Sequence, residues 1–168
     1  VIIPAKRILL AEDDAHDVEL TLAALDNVGL ADQIAVVRDG DEALDYLLCR
    51  GKHRGRPGGG PAVFLLDLKM PKVDGFPVLL QVRAEEKLQL MPVVMLTSSR
   101  EPRDLLTSYR LGANAYVVKP IEFDRLVESL KRLGAFWALV NEPPPSSLDG
   151  PAMAPGDQGA PWHPCPQG

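Results

Sequence analysis

Residues able to do chemistry sit at one kind of place in this chain, the end of a short apolar run. Ile8-Leu9-Leu10-Ala11 runs into Glu12-Asp13-Asp14, and Val63-Phe64-Leu65-Leu66 runs into Asp67. Val93-Val94-Met95-Leu96 ends in Thr97-Ser98-Ser99, and Ala115-Tyr116-Val117-Val118 ends in Lys119-Pro120. Glu12, Asp13 and Asp67 brought together unpaired would repel one another, and some would take up protons. A hard divalent cation that accepts oxygen ligands and keeps several waters relieves this, which describes Mg²⁺. Such a cation can also bridge a phosphoryl oxygen. Asp67 is then a candidate nucleophile, since carboxylates form aspartyl-phosphates. Lys119 would set a positive charge against another phosphoryl oxygen, and Thr97 would offer a hydroxyl to the third. Each residue alone has a duller explanation. Asp14 suits a helix N-cap, a strand-end Thr is usually a turn residue, and a strand-end Lys is usually solvated. Their joint placement carries the argument.

Elements that would position them follow from the apolar pattern. Short apolar runs predict strands over Lys6–Ala11, Gln33–Arg38, Val63–Asp67, Pro92–Leu96 and Ala115–Val118. Between them, helical spacing predicts a helix after Asp14 that ends near Gly29, then Asp41–Cys49 after an Asp39-Gly40 turn. Further helices are predicted near Pro77–Glu85, over Pro102–Leu111 and from Glu122 to about Val140. His16 reads as solvent-facing. Arg50–Gly60 is basic and glycine-rich, but Pro61 and a strand follow it where a phosphate-binding loop needs Lys-Ser/Thr and a helix. It reads as a flexible surface loop. Strands buried on both faces and alternating with helices give a (βα)₅ parallel sheet, with the flavodoxin-like order 2-1-3-4-5 leading. In that order the first and third strands are neighbours, so their carboxylates share one crevice.

Composition bounds the rest. The chain has 168 residues, 46% hydrophobic and 24% charged, with net charge -5. That charge gives no footprint for nucleic acid, and no apolar run nears the ~18 residues of a membrane span. Cys49 and Cys165 lack metal spacing and suggest a reducing, cytosolic setting. The expected localisation is cytoplasmic.

The motifs in order, Glu12-Asp13, Asp67 with Met70-Pro71 and Asp74-Gly75, Thr97-Ser98, and Tyr116 before Lys119-Pro120, resemble the receiver domain of two-component response regulators. The resemblance covers about Lys6 to Leu133. It implies that Asp67 is the phosphoacceptor for a histidine kinase, and that the protein is a signalling module rather than an enzyme. It implies Mg²⁺ held by Asp13, Asp67 and the Lys69 backbone carbonyl, with Glu12 acting through water. It implies Thr97 and Tyr116 as a switch pair, Tyr116 turning inward as Thr97 moves, and a cis Lys119-Pro120 bond. The segments Asp14-Ala15-His16-Asp17-Val18-Glu19-Leu20, Leu96-Thr97-Ser98-Ser99-Arg100 and Leu133-Gly134-Ala135-Phe136-Trp137 are similar to the small phytochrome-associated response regulators. That likeness implies a bacterial phytochrome kinase as partner and a homodimer formed with an extended last helix.

Physical reading of that helix agrees. Phe123, Leu126, Leu130, Leu133, Trp137 and Val140 form a heptad seam. Its second half runs past the domain, so either it folds back or a second subunit covers it; in the second case Phe136, Trp137 and Val140 are expected at a dimer contact. From Pro143 the last 26 residues hold half of the chain's 16 prolines and no Lys or Arg. The expected division is therefore a receiver over 1–142 and a disordered tail over 143–168. No DNA-binding helix-turn-helix is present. Two other functions compete: a phosphatase of the haloacid dehalogenase class, which would want a second Asp where Lys69 stands, and a receiver-like adaptor that works without phosphorylation.

Overall fold

The computed structural model of the protein describes residues 8–27, 29–56, 60–119, 124, 125, 128, 129 and 132. Strands β1 (Ile8–Ala11), β2 (Ile34–Val37), β3 (Val63–Leu66), β4 (Val93–Thr97) and β5 (Ala115–Val118) alternate with helices. These are α1 (Ala15–Asp26), α2 (Gly40–Leu47), α3 (Gly75–Ala84) and α4 (Pro102–Arg110). All strand pairs are parallel, in the order β2-β1-β3-β4-β5. This is the expected flavodoxin-like arrangement. Residues 124, 125, 128, 129 and 132 have helical backbone, and Arg132 pairs with Glu128 one turn before it at 2.7 Å.

Alternation along the strands divides the core in two. Leu9, Ala11, Phe64, Leu66, Val93 and Met95 face α2 and α3, packing with Ala43, Leu47, Val78 and Val82. Ile8, Leu10, Val63, Leu65, Val94 and Leu96 face the other way, against Val18, Ala24 and Leu25 of α1. A strand covered on both sides can be apolar at every position, which is why β1, β3 and β4 read as unbroken runs. Where that cover ends, polar residues begin.

Helix boundaries depart from the sequence expectation in instructive ways. α1 does stop as Gly29 foretold: Gly29 has φ +71°, and Leu30 N–H reaches back to the Leu25 carbonyl at 3.0 Å, a left-handed glycine stop. Asp39-Gly40 is not a turn before a helix. Asp39 is the N-cap, its side chain accepting from Glu42 N–H at 2.8 Å, and Gly40 is already helical. α3 begins at Gly75, before Pro77, and ends at Ala84. Both glycines are needed for space. A Cβ on Gly40 would lie 2.5 Å from the Val73 carbonyl oxygen, and one on Gly75 would lie 2.5 Å from that of Asp67.

Arg50–Gly60 is also not simply a flexible loop. Gly51–His53 forms a 3₁₀ turn, and Lys52 pairs with Glu42 of α2. The Arg56 guanidinium lies 4.4 Å from the Tyr46 ring centroid and donates to the Tyr46 carbonyl at 2.9 Å. Among the described residues no helix is long and apolar enough to cross a membrane. The heptad seam, the Lys119-Pro120 bond and the 143–168 tail lie outside the described residues.

Candidate functional site

Ladder register carries the chemistry to one edge. Ala11 pairs with Leu66 across β1 and β3, so Glu12 and Asp67 are the next residues on each. The hydrogen bonding continues past the strands: Glu12 N–H to Val37 O at 3.0 Å, Asp67 N–H to Ala11 O at 3.1 Å, and Lys119 N–H to Thr97 O at 2.8 Å. Each functional residue is thus fixed by its backbone before its side chain does anything.

The carboxylates converge as expected. Ligand oxygens of Glu12, Asp13 and Asp67 all lie within 4.8 Å of one another. Glu12 and Asp67 are buried, and Asp13 faces solvent. Leu68 N–H donates to Asp67 Oδ1 at 2.7 Å, and Asp14 N–H donates to Glu12 Oε1 at 3.1 Å. Lys119 reaches in from β5. Its Nζ bonds Glu12 closely, Asp17 Oδ2 at 2.8 Å and Asp67 Oδ2 at 3.2 Å.

Charge in the cluster is out of balance, with Glu12, Asp13, Asp17 and Asp67 around one ammonium. Burial pushes the Glu12 carboxyl up to about 7; the Lys119 hydrogen bond pulls it down, and the Asp67 charge pushes it up again. Burial disfavours the charge on Lys119, but its bonds to Asp17 and Glu12 and the field of Asp67 outweigh that. The ammonium is held above the usual lysine range. Three hard oxygen donors with surplus negative charge, one of them open to solvent, fit a hydrated divalent cation of the Mg²⁺ kind. Lys69, whose backbone carbonyl was expected to help, follows on the β3–α3 loop with an exposed side chain.

Thr97 ends β4 fully buried, and its Oγ1 accepts from Ser99 N–H at 3.2 Å. Tyr116 packs at the edge of the core, and its hydroxyl donates to the Ser99 carbonyl at 3.1 Å. Tyr116 is thereby tied to the β4–α4 loop. Burial and the bond to Ser99 act on the phenol in opposite directions, and burial, the larger, raises it. Asp17 is the member that the motif reasoning passed over. It lies three residues after the Asp14 cap, in the first turn of α1. Asp14 behaves as the expected cap, accepting from Asp17 N–H at 3.0 Å.

The response regulator receiver domain family matches residues 8–131. Response regulator Rcp1 of Synechocystis sp. is 34% identical over 134 residues, covering 80% of this chain and 90% of that protein. A solved Mn(2+)-bound form of response regulator Rcp1 is 32% identical with TM-score 0.75, covering 82% and 97%. The solved bacteriophytochrome response regulator RtBRR is 57% identical with TM-score 0.67, over 86% of this chain and 87% of that one. The phosphorylated cyanobacterial phytochrome response regulator RcpA is 34% identical with TM-score 0.77, over 84% and 99%.

Proposed function

The chain belongs to the response regulator receiver family of two-component signalling, and from that premise we propose that Asp67 accepts a phosphoryl group from a sensor histidine kinase. One observation carries the reading. Asp67 stands at the end of a buried strand, Oδ1 held by a backbone N–H and Oδ2 by the only ammonium that enters the described acidic cluster. In the transfer, a carboxylate oxygen of Asp67 forms a bond to phosphorus. The phosphorus–nitrogen bond of the kinase phosphohistidine breaks, its electron pair returning to the imidazole. Lys119 offsets charge on the phosphoryl oxygens, and Thr97 offers its hydroxyl. Asp13, Asp67 and the Lys69 carbonyl, with Glu12 through water, would hold Mg²⁺, which supplies charge neutralisation at the phosphoryl oxygens.

The kinase we propose is a bacterial phytochrome, because the relatives named for phytochrome pathways include one 57% identical. Such a kinase donates phosphate from ATP, so the cytoplasm is the place proposed for this chain. Its role is that of a phosphoacceptor, catalysing only its own phosphorylation and dephosphorylation. Thr97 and Tyr116 form the proposed switch, and both bond to Ser99. A Thr97 hydroxyl drawn to the phosphoryl group releases Ser99 N–H, and that shift reaches the carbonyl holding Tyr116. A homodimer is proposed through α4, β5 and the last helix, with Phe136, Trp137 and Val140. Leu105, Leu106 and Tyr109 of α4 are 41%, 50% and 51% exposed, which suits such a contact. The chain is proposed to divide into a receiver over 1–142 and a proline-rich tail over 143–168.

Incubation with Mg²⁺ and acetyl phosphate tests the chemistry. A stable acyl-phosphate is the expected product. Steady turnover of the donor would point to a phosphatase, and no reaction would leave only an adaptor.

A further inference from the structure

Asp17 touches Lys119 but has no part in the chemistry so far. An ammonium has three N–H donors, and those of Lys119 go to Glu12, Asp17 and Asp67. A phosphoryl group on Asp67 adds three acceptor oxygens beside this ammonium. The Asp67 carboxylate becomes the acyl phosphate, so the N–H it held passes to that group, and Lys119 can donate to a second phosphoryl oxygen only by releasing Glu12 or Asp17. The side chains of Glu12 and Asp67 are 2% and 9% exposed, whereas that of Asp17 is 34% exposed. Released, Glu12 would be a buried carboxylate without its partner, which is costly. Asp17 can be hydrated where it stands. It also lies in the first turn of α1, where the helix end favours an anion.

We propose that Asp17 is a positioning residue for phosphoryl transfer, holding one N–H of Lys119 until a phosphoryl oxygen on Asp67 takes it. This rests on Asp67 being the phosphoacceptor. Asp17 fixes the ammonium in the free protein and competes with the phosphoryl group for it. Removing its charge while keeping its shape favours the phosphorylated state. Asp14 provides the contrast: a nearby acid on the same helix end, with a cap bond and no bond to Lys119.

The test is equilibrium binding of beryllofluoride, a mimic of the phosphoryl group, to the full chain in Mg²⁺, followed by calorimetry. Asp17→Asn should bind it about three- to tenfold more tightly than the wild type, the range for one partly exposed charge-assisted hydrogen bond. Asp17→Glu should return towards wild type, and Asp14→Asn should stay within about twofold of it. Binding by Asp17→Asn that is equal to or weaker than wild type overturns the proposal. So does an equal gain in Asp14→Asn, which would reduce the effect to general charge. A wild type that binds no beryllofluoride would instead bring down the phosphoacceptor reading, and this proposal with it.

Discussion

Thr97 has no exposed surface, yet it is a hydroxyl residue in an otherwise apolar strand. A Val would fill the same space, so the hydroxyl has to be explained by what it bonds. In the structure that is Ser99 N–H, and in the proposed phosphorylated form it is a phosphoryl oxygen. Thr97→Ala should therefore still phosphorylate at Asp67, but its free and phosphorylated forms should give the same Tyr116 resonances. Resonances that shift as much as in the wild type would break the link between the two residues. Asp13→Ala removes a hard oxygen ligand and should weaken Mg²⁺ binding about tenfold or more, measured by titration. At this scale the sequence was highly legible. Glu12, Asp67, Thr97 and Lys119 each follow an apolar run, and the end of a buried run is the end of a strand. Asp17 was not legible, because it follows no apolar run and lies inside a helix, so nothing local marks its bond to Lys119. That pairing depends on the angle at which α1 leaves the sheet, which no local pattern records.

Single residues at element ends hold the frame that aims the site. Asp39 caps α2 and bonds Lys72 Nζ at 2.6 Å, tying α2 to the loop after Asp67. Lys72 has φ +62°, uncommon for a residue with a side chain, so this tie also holds a strained backbone. Asp39→Ala should lower stability by about 1 kcal/mol, read by urea unfolding. The bond from Lys72, then that from Glu42 N–H, holds the Asp39 carboxyl below the usual carboxylate range. A carboxyl with a lowered folded pKa adds stability above its unfolded value of about 3.9, lost as pH falls through the folded value. Asp39→Asn should therefore lower stability at neutral pH, lose that difference as pH falls through the folded value, and so flatten the stability curve below about pH 4. An unchanged acid limb would show that Asp39 is not tied in this way. Arg83 does similar work at the other end of α3. It donates to the carbonyls of Gly112, Gln89 and Met91 and to Asn114 Oδ1, pinning the α4–β5 turn. Arg83→Ala should cost roughly 2 kcal/mol or more, since it leaves several carbonyls without their donor. The sequence marked strands and helices well but missed these ties. It also misplaced the starts of α2 and α3, because close approach at Gly40 and Gly75 is a matter of packing, not of pattern.

For the whole molecule, the order β2-β1-β3-β4-β5 puts β1 and β3 side by side. That adjacency alone turns carboxylates separated by 55 positions, Glu12 and Asp67, into one cluster. The topology was legible because right-handed crossovers leave few alternatives. The exposed apolar face of α4 is a molecular-scale feature too. With Phe136, Trp137 and Val140 it makes the proposed dimer contact, since a twofold pair can bury the same patch on each subunit. Trp137→Glu should shift sedimentation towards monomer while Asp67 stays reactive. A wild type that remains monomeric at high micromolar concentration, with and without phosphorylation, would refute the dimer. The claim on which the rest depends is the identity of the phosphorylated atom. It is tested most directly by incubating the full chain with Mg²⁺ and acetyl phosphate, trapping the acyl-phosphate by borohydride reduction, and locating the modified residue by mass spectrometry. The account predicts homoserine at position 67 and none in Asp67→Asn; modification at another acid, or undiminished labelling of Asp67→Asn, would contradict it.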